Sequence, residues 1–318
     1  MSFNRDFTEI NILRAGLCGS DINKIKSENF EVNNLGHEGV GQVQKANQFF
    51  EKGEIVVVNP FVYHSICQDC KAQSFLHCIK CESIGKTLEG VFSGKLLIPS
   101  ENLSKFTVPS KEIGVGVFVD GAAVVFHALH RIVKRESIKK CLVIGSGTLG
   151  ILFSLIADEF LECDEIHLVY RNRTKKKLLE DIFSTSGVEM IHHSELEDDA
   201  FELIVEAVGG SQIETLNLAI SKIKSNGEIV VLGAFDPLVE KAIEYRKLFY
   251  TQVLMHGVNS YCKEHDDFTQ ALNWVVANDV RLRPIITHIF PLSKVASTLE
   301  KVVKNELRDY LKIVFTSD

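Results

Sequence analysis

Short apolar runs punctuated by turn residues fill the first third of the chain. Ile10–Gly16 (INILRAG), Gly39–Ala46 (GVGQVQKA), Glu54–Phe61 (EIVVVNPF) and Gly94–Pro99 (GKLLIP) are separated by Gly, Asn and Pro, which predicts strands joined by turns and a compact, mostly β domain. The pattern then changes. Cys141–Gly147 (CLVIGSG) reads as a buried strand, Thr148–Phe160 (TLGILFSLIADEF) as an apolar helix and Glu165–Tyr170 (EIHLVY) as a second strand. A charged helix and two further strands follow, Phe201–Gly210 (FELIVEAVGG) and Glu228–Phe235 (EIVVLGAF). Strands alternating with helices predict a parallel sheet with covering helices. The tail holds a helix over Asp266–Asn278, a turn at Arg283-Pro284, a helix from Leu292 and a last strand, Tyr310–Phe315 (YLKIVF). A terminal strand needs a sheet to join. The simplest arrangement places residues 1–117 and 257–318 in the β-rich domain, with the α/β domain of residues 118–256 inserted between them.

Composition excludes several classes of function. The 318 residues are 45% hydrophobic and 24% charged, ordinary for a globular protein. The net charge of −7 is scattered along the chain, so no basic block offers a footprint for nucleic acid. No apolar run reaches the roughly 20 residues of a bilayer span, and the first ten residues lack a signal-peptide core. The expectation is a cytoplasmic protein with no membrane or nucleic-acid partner. In that compartment eight cysteines point to metal or thiolate chemistry before disulfides. Cys67, Cys70, Cys78 and Cys81 cluster, while Cys141, Cys163 and Cys262 stand alone and read as small buried apolar residues.

Two segments carry candidate cofactor chemistry. Gly145, Ser146, Gly147, Thr148, Leu149 and Gly150 form GxGxxG between a strand and a helix, the context in which this pattern binds dinucleotides. The first glycine makes the tight turn, the second admits the pyrophosphate to the backbone, and the third lets helix and strand pack closely. After the second strand, where an acid would bind the ribose 2'-hydroxyl of NAD, the chain reads Tyr170-Arg171-Asn172-Arg173. Arg171 and Arg173 favour a 2'-phosphate, hence NADP(H) over NAD(H). The alternative is that these arginines begin a solvated helix with Lys175, Lys176 and Lys177.

Upstream, Leu17-Cys18-Gly19-Ser20-Asp21 and Gly36-His37-Glu38-Gly39-Val40-Gly41 place a thiolate and an imidazole in the β-rich domain. CGSD and GHEGVG, in this order before GxGxxG, resemble the zinc-containing medium-chain alcohol and polyol dehydrogenases, the family of sorbitol and threonine dehydrogenases. The resemblance implies an α/β fold made of a GroES-like, mostly β catalytic domain and a Rossmann domain with a doubly wound parallel sheet. It implies Cys18 and His37 as ligands of a catalytic zinc ion, with Glu38 as a carboxylate behind them or an alternate ligand. Ser20 would bond the substrate oxygen and begin a proton relay. Asp120, at the junction where the family has Glu or Cys, becomes either the third ligand or an N-cap for the following helix. Val208, Gly209, Leu232 and Gly233, at strand ends, would line the nicotinamide and ribose. A second, structural zinc site is implied at His64, Cys67, Cys70 and Cys78; its alternative is CxxC-x7-CxxC, with Cys81 in place of His64.

Three departures mark a divergent branch. Asn23 replaces a relay histidine, so proton release needs water or another group. Gly90–Lys95 lacks the acidic residue usual in that segment, and Asp120-Gly121 respells the third-ligand site. The expected activity is hydride transfer between a secondary alcohol or polyol, or its ketone, and NADP(H), with a dimer or tetramer as the expected assembly. The alternatives are a non-catalytic NADPH-binding member and a zinc-free reductase, which has no need of Cys18 and His37. His127 and His130, one helical turn apart, read as structural.

Overall fold

The alternation in the first apolar run becomes strand β1, Phe7–Gly16, which turns Ile10 and Ile12 into a core. The computed structural model describes residues 5–27, 31–63, 81–133, 135–197, 201–210, 213–235 and 242–317. Chain contacts divide it into two units, 1–123 with 262–318, and 124–261.

The first unit is built on a seven-stranded sheet. β1 lies between β2 (Glu38–Val43) and β15 (Lys312–Thr316), antiparallel to both. The sheet continues through β3 (Ile55–Val58) to β7 (Leu103–Lys105) on one side and to β14 (Ile286–Pro291) on the other, while β6 (Lys95–Pro99) also pairs with β1. The terminal strand thus pairs with the first one. Short strands β4 (Phe61–Val62) and β5 (Glu82–Ser83) form a separate pair. Behind the sheet, Ile10, Ile12, Val56, Phe92 and Phe315 share one apolar cluster, and the Phe92 and Phe315 rings meet edge to face at 5.3 Å. Because β1 and β2 run antiparallel, Gly16 at the end of β1 lies opposite Glu38 at the start of β2. That register brings Cys18, just beyond β1, to His37, just before β2.

The second unit holds a six-stranded parallel sheet of β8 (Lys140–Ile144), β9 (Glu165–Tyr170), β10 (Val188–His192), β11 (Phe201–Glu206), β12 (Ile223–Val231) and β13 (Leu254–Gly257). The order β10-β9-β8-β11-β12-β13 is 3-2-1-4-5-6 counted within the unit, the doubly wound order of the Rossmann fold. β8 is a run of buried residues, as a strand covered on both faces must be. The chain reverses its winding between β8 and β11, where such sheets bind ligands beyond the strand ends. β12 differs from the sequence reading. It starts at Ile223 rather than Glu228, and Asn226 takes a left-handed turn, φ 60°, within it.

Helix α2, Val119–Arg131, follows a 3-10 stretch from Ile113. The 19 residues from Ile113 to Arg131 are apolar enough to cross a membrane by composition alone, but two thirds of the most apolar window, 67%, is buried, as in a core helix.

Candidate metal and dinucleotide sites

Cys18 precedes the first turn of helix α1, Gly19–Ser27, and Asp21 within that turn folds back onto the chain. Its carboxylate accepts the Cys18 amide at 3.0 Å and the Gly36 amide at 3.1 Å. One acid thereby clamps both ligand-bearing loops. The same buried carboxylate stands 3.6 Å from His37 Nδ1, while Asp120 Oδ2 stands 3.7 Å from His37 Nε2. Burial alone would lower the His37 pKa, but Asp21 and Cys18 outweigh it and hold the imidazole well above its ordinary 6.5. Burial likewise opposes ionisation of Asp21, yet His37 and the two amides bring its pKa below 3.8.

The Cys18 sulfur, a His37 ring nitrogen and a Glu38 carboxylate oxygen lie within 4.8 Å of one another. This mixture of donors suits zinc. With Zn–N and Zn–O bonds of about 2.0–2.2 Å, tetrahedral ligand atoms stand about 3.4 Å apart, so the 3.7 Å between His37 Nε2 and Asp120 Oδ2 also fits a shared ion. Asp21 on Nδ1 then plays the orienting carboxylate usual for a metal-bound histidine. Glu38 Oε2 is engaged by Lys312 Nζ at 2.5 Å. That approach leaves no room at Gly16, where a Cβ would sit 2.1 Å from Glu38 Oε2. Ser20 lies exposed in the first turn of α1.

In the second unit, Gly145 follows β8 with φ 117°, a left-handed turn that a side chain resists. A Cβ on Gly150 would meet the Gly145 carbonyl oxygen at 1.8 Å, whereas one on Gly147 would meet nothing within 4 Å. The third glycine packs strand on helix, and the second faces open space at the N-terminus of α3 (Thr148–Phe160), as a pyrophosphate requires. Glu206, fully buried at the end of β11, organises the neighbouring loops. Its Oε1 accepts from the amides of Val208 at 3.0 Å and Gly209 at 3.1 Å and from the Thr215 hydroxyl at 2.7 Å. Its backbone oxygen takes the amides of Leu232 at 2.8 Å and Gly233 at 3.0 Å. The four backbone positions expected at the nicotinamide are therefore tied to one residue. Arg171 and Arg173 follow β9 and are exposed.

Residues 5–110 match the family model of the alcohol dehydrogenase GroES-like domain. The chain is 21% identical over 314 residues to an L-threonine 3-dehydrogenase of Pseudoalteromonas translucida, covering 93% of this chain and 89% of that protein. Over 155 residues it is 28% identical to galactitol 1-phosphate 5-dehydrogenase of Escherichia coli, 47% of this chain and 44% of that protein. The crystal structure of galactitol-1-phosphate dehydrogenase from Escherichia coli superposes with a TM-score of 0.81 at 19% identity, over 99% of this chain and 94% of that one. The fold is that of the medium-chain alcohol dehydrogenases, and the resemblance drawn from CGSD and GHEGVG holds.

In the first unit the structure brings together Cys18, His37 and Glu38, sets Asp120 beside His37, and adds two residues not assigned from sequence, Asp21 and Lys312. Asp21 was visible within CGSD. Lys312 left one signal, a cation inside an apolar terminal strand. His64, Cys67, Cys70 and Cys78 lie outside the described residues. Cys81 is half-buried, and its thiol donates to the Val62 carbonyl oxygen at 3.4 Å.

Proposed function

We propose that the chain is a zinc-dependent dehydrogenase that oxidises a secondary alcohol or polyol, reversibly, with NADP preferred over NAD. The observation that carries this reading is the donor set of Cys18, His37 and Glu38 within 4.8 Å, with Asp120 facing the same imidazole. Cys18, His37 and Asp120 are the zinc ligands, and Glu38, already paired with Lys312, is the carboxylate behind them. When bound, zinc supplies Lewis-acid polarisation of the alcohol oxygen and the nicotinamide supplies the hydride acceptor. Asp21 fixes the ring of His37 through Nδ1 and leaves Nε2 free to ligate. Ser20 takes the hydroxyl proton of the substrate and, being exposed, passes it to water, which answers the lack of a titratable group at Asn23.

On the cofactor side, Gly147 leaves space for the pyrophosphate, and Glu206 sets the amides of Val208, Gly209, Leu232 and Gly233. Arg171 and Arg173 receive the 2'-phosphate. The names of the relatives, L-threonine 3-dehydrogenase and galactitol 1-phosphate 5-dehydrogenase, support a small hydroxylated molecule as the substrate. A homo-oligomer is the assembly carried over from the family.

The test is a panel of secondary alcohols and polyols assayed at the nicotinamide absorbance band with NADP and with NAD. Turnover that is faster with NADP, lost on chelation and restored by zinc is expected. Turnover indifferent to chelation would favour the zinc-free reductase. Asn23 and the shortened acid at Asp120 motivate a non-catalytic alternative, for which the panel would give cofactor binding without turnover.

A further inference from the structure

We infer that His192 is a positioning residue for the 2'-phosphate end of the cofactor, bracketing the Arg171 backbone and the Arg173 guanidinium. The inference rests on the NADP reading above. His192 ends β10 and lies opposite Tyr170, the last residue of β9, in the parallel ladder. Its side chain is buried, with the Tyr170 ring packed edge-on at 5.3 Å.

The hydrogen bonds select a single tautomer. Nε2 lies 3.0 Å from the Arg171 carbonyl oxygen, which can only accept, so Nε2 carries the proton. In a neutral imidazole the other nitrogen is then an acceptor, and Nδ1 is surrounded by donors. They are the Ser194 hydroxyl at 2.7 Å, the Ser194 amide at 3.3 Å and Arg173 Nη2 at 3.3 Å. In the Nε2–H form the single lone pair of Nδ1 is shared among these donors, and His192 also caps the 3-10 turn His193–Glu195. The His193 ring lies against that of His192, tilted by 52° at 4.5 Å between centroids.

The consequence falls on Arg173, whose side chain is 67% exposed and also meets Glu195 at 3.4 Å. An exposed arginine samples many rotamers, and a guanidinium held by one nitrogen keeps the rest of its donor fork for a ligand. His192 thus fixes both the path of the chain at Arg171 and the direction of Arg173. Asn172, between them, holds its own turn by accepting the Thr174 amide at 3.0 Å.

The test compares wild type with His192→Leu, measuring binding of NADPH, NADH, 2',5'-ADP and 5'-AMP, with thermal melting as the control for folding. NADPH and 2',5'-ADP, which carry the 2'-phosphate, should weaken about tenfold while NADH and 5'-AMP change by less than about twofold. Equal losses for all four ligands, or none, would overturn the role. His192→Asn keeps an acceptor near Nδ1 and a good capping group, so it should retain most of the preference even if His192→Leu melts early; a loss as large as that of leucine counts against the proposal. The 15N spectrum of the wild-type ring should show the Nε2–H tautomer, and the Nδ1–H form would contradict it. The wild-type ratio of NADPH to NADH binding tests the cofactor reading by itself, while its change on substitution tests His192.

Discussion

Lys312, on the last strand, donates to Glu38 across 274 positions of sequence, with Nζ 2.5 Å from Oε2 and both side chains buried. A second bond reaches the Leu17 carbonyl oxygen at 3.3 Å, one residue before Cys18. Burial by itself would discharge such a lysine, but Glu38, Cys18 and Asp21 outweigh it and raise the pKa above the ordinary 10.5. The C-terminal strand, paired between β14 and β1, therefore also supplies the countercharge of Glu38.

Lys312→Met should accordingly cost about 3–5 kcal/mol of folding stability, because it leaves a buried carboxylate without a partner. Combining it with Glu38→Gln should recover much of that loss, since both charges are then gone. Urea unfolding of the two variants checks this, and a single variant as stable as wild type would show that water already reaches the pair.

The glycines of the dinucleotide loop should separate binding from folding. Gly147→Ala adds a methyl group into open space, so melting should be unchanged while cofactor affinity falls about tenfold or more, roughly 1.4 kcal/mol. Gly150→Ala drives its methyl against the Gly145 carbonyl and should lower the melting temperature. Calorimetry and cofactor titration on both variants would reverse the assignment if the two effects were exchanged.

What could be read from sequence was local. Cys18, His37 and the glycines of residues 145–150 sit in short motifs whose spacing is set by one turn or one strand end, and the terminal strand announced its sheet by its apolar run. Asp21 was written in the same motif, but its part depends on α1 turning its carboxylate back to two amides. Lys312 and His192 needed the pairing of strands: β15 against β1 for the first, β10 against β9 for the second. Glu206 was passed over because a carboxylate at a strand end looks solvated until three donors are found around it.

Acid stability should carry a contribution from Asp279. The hydrogen bonds from Ser110, whose amide donates at 2.9 Å, hold its carboxyl below the ordinary 3.8. With the folded pKa below the unfolded one, the stabilisation is complete above 3.8 and is lost as pH falls through the folded value. Wild type should therefore exceed Asp279→Asn in stability at neutral pH, with the gap closing only on the acid side of 3.8. A gap independent of pH would assign the effect to packing.

Cys18 and His37 are proposed to hold zinc. Metal quantification on the purified chain tests this most directly, with Cys18→Ala and Cys67→Ala measured beside wild type. Zinc should be present at two equivalents per wild-type chain, one at each proposed site, and each variant should lose one of them. If Cys18→Ala kept the full wild-type metal content, the catalytic zinc centre proposed here would be wrong.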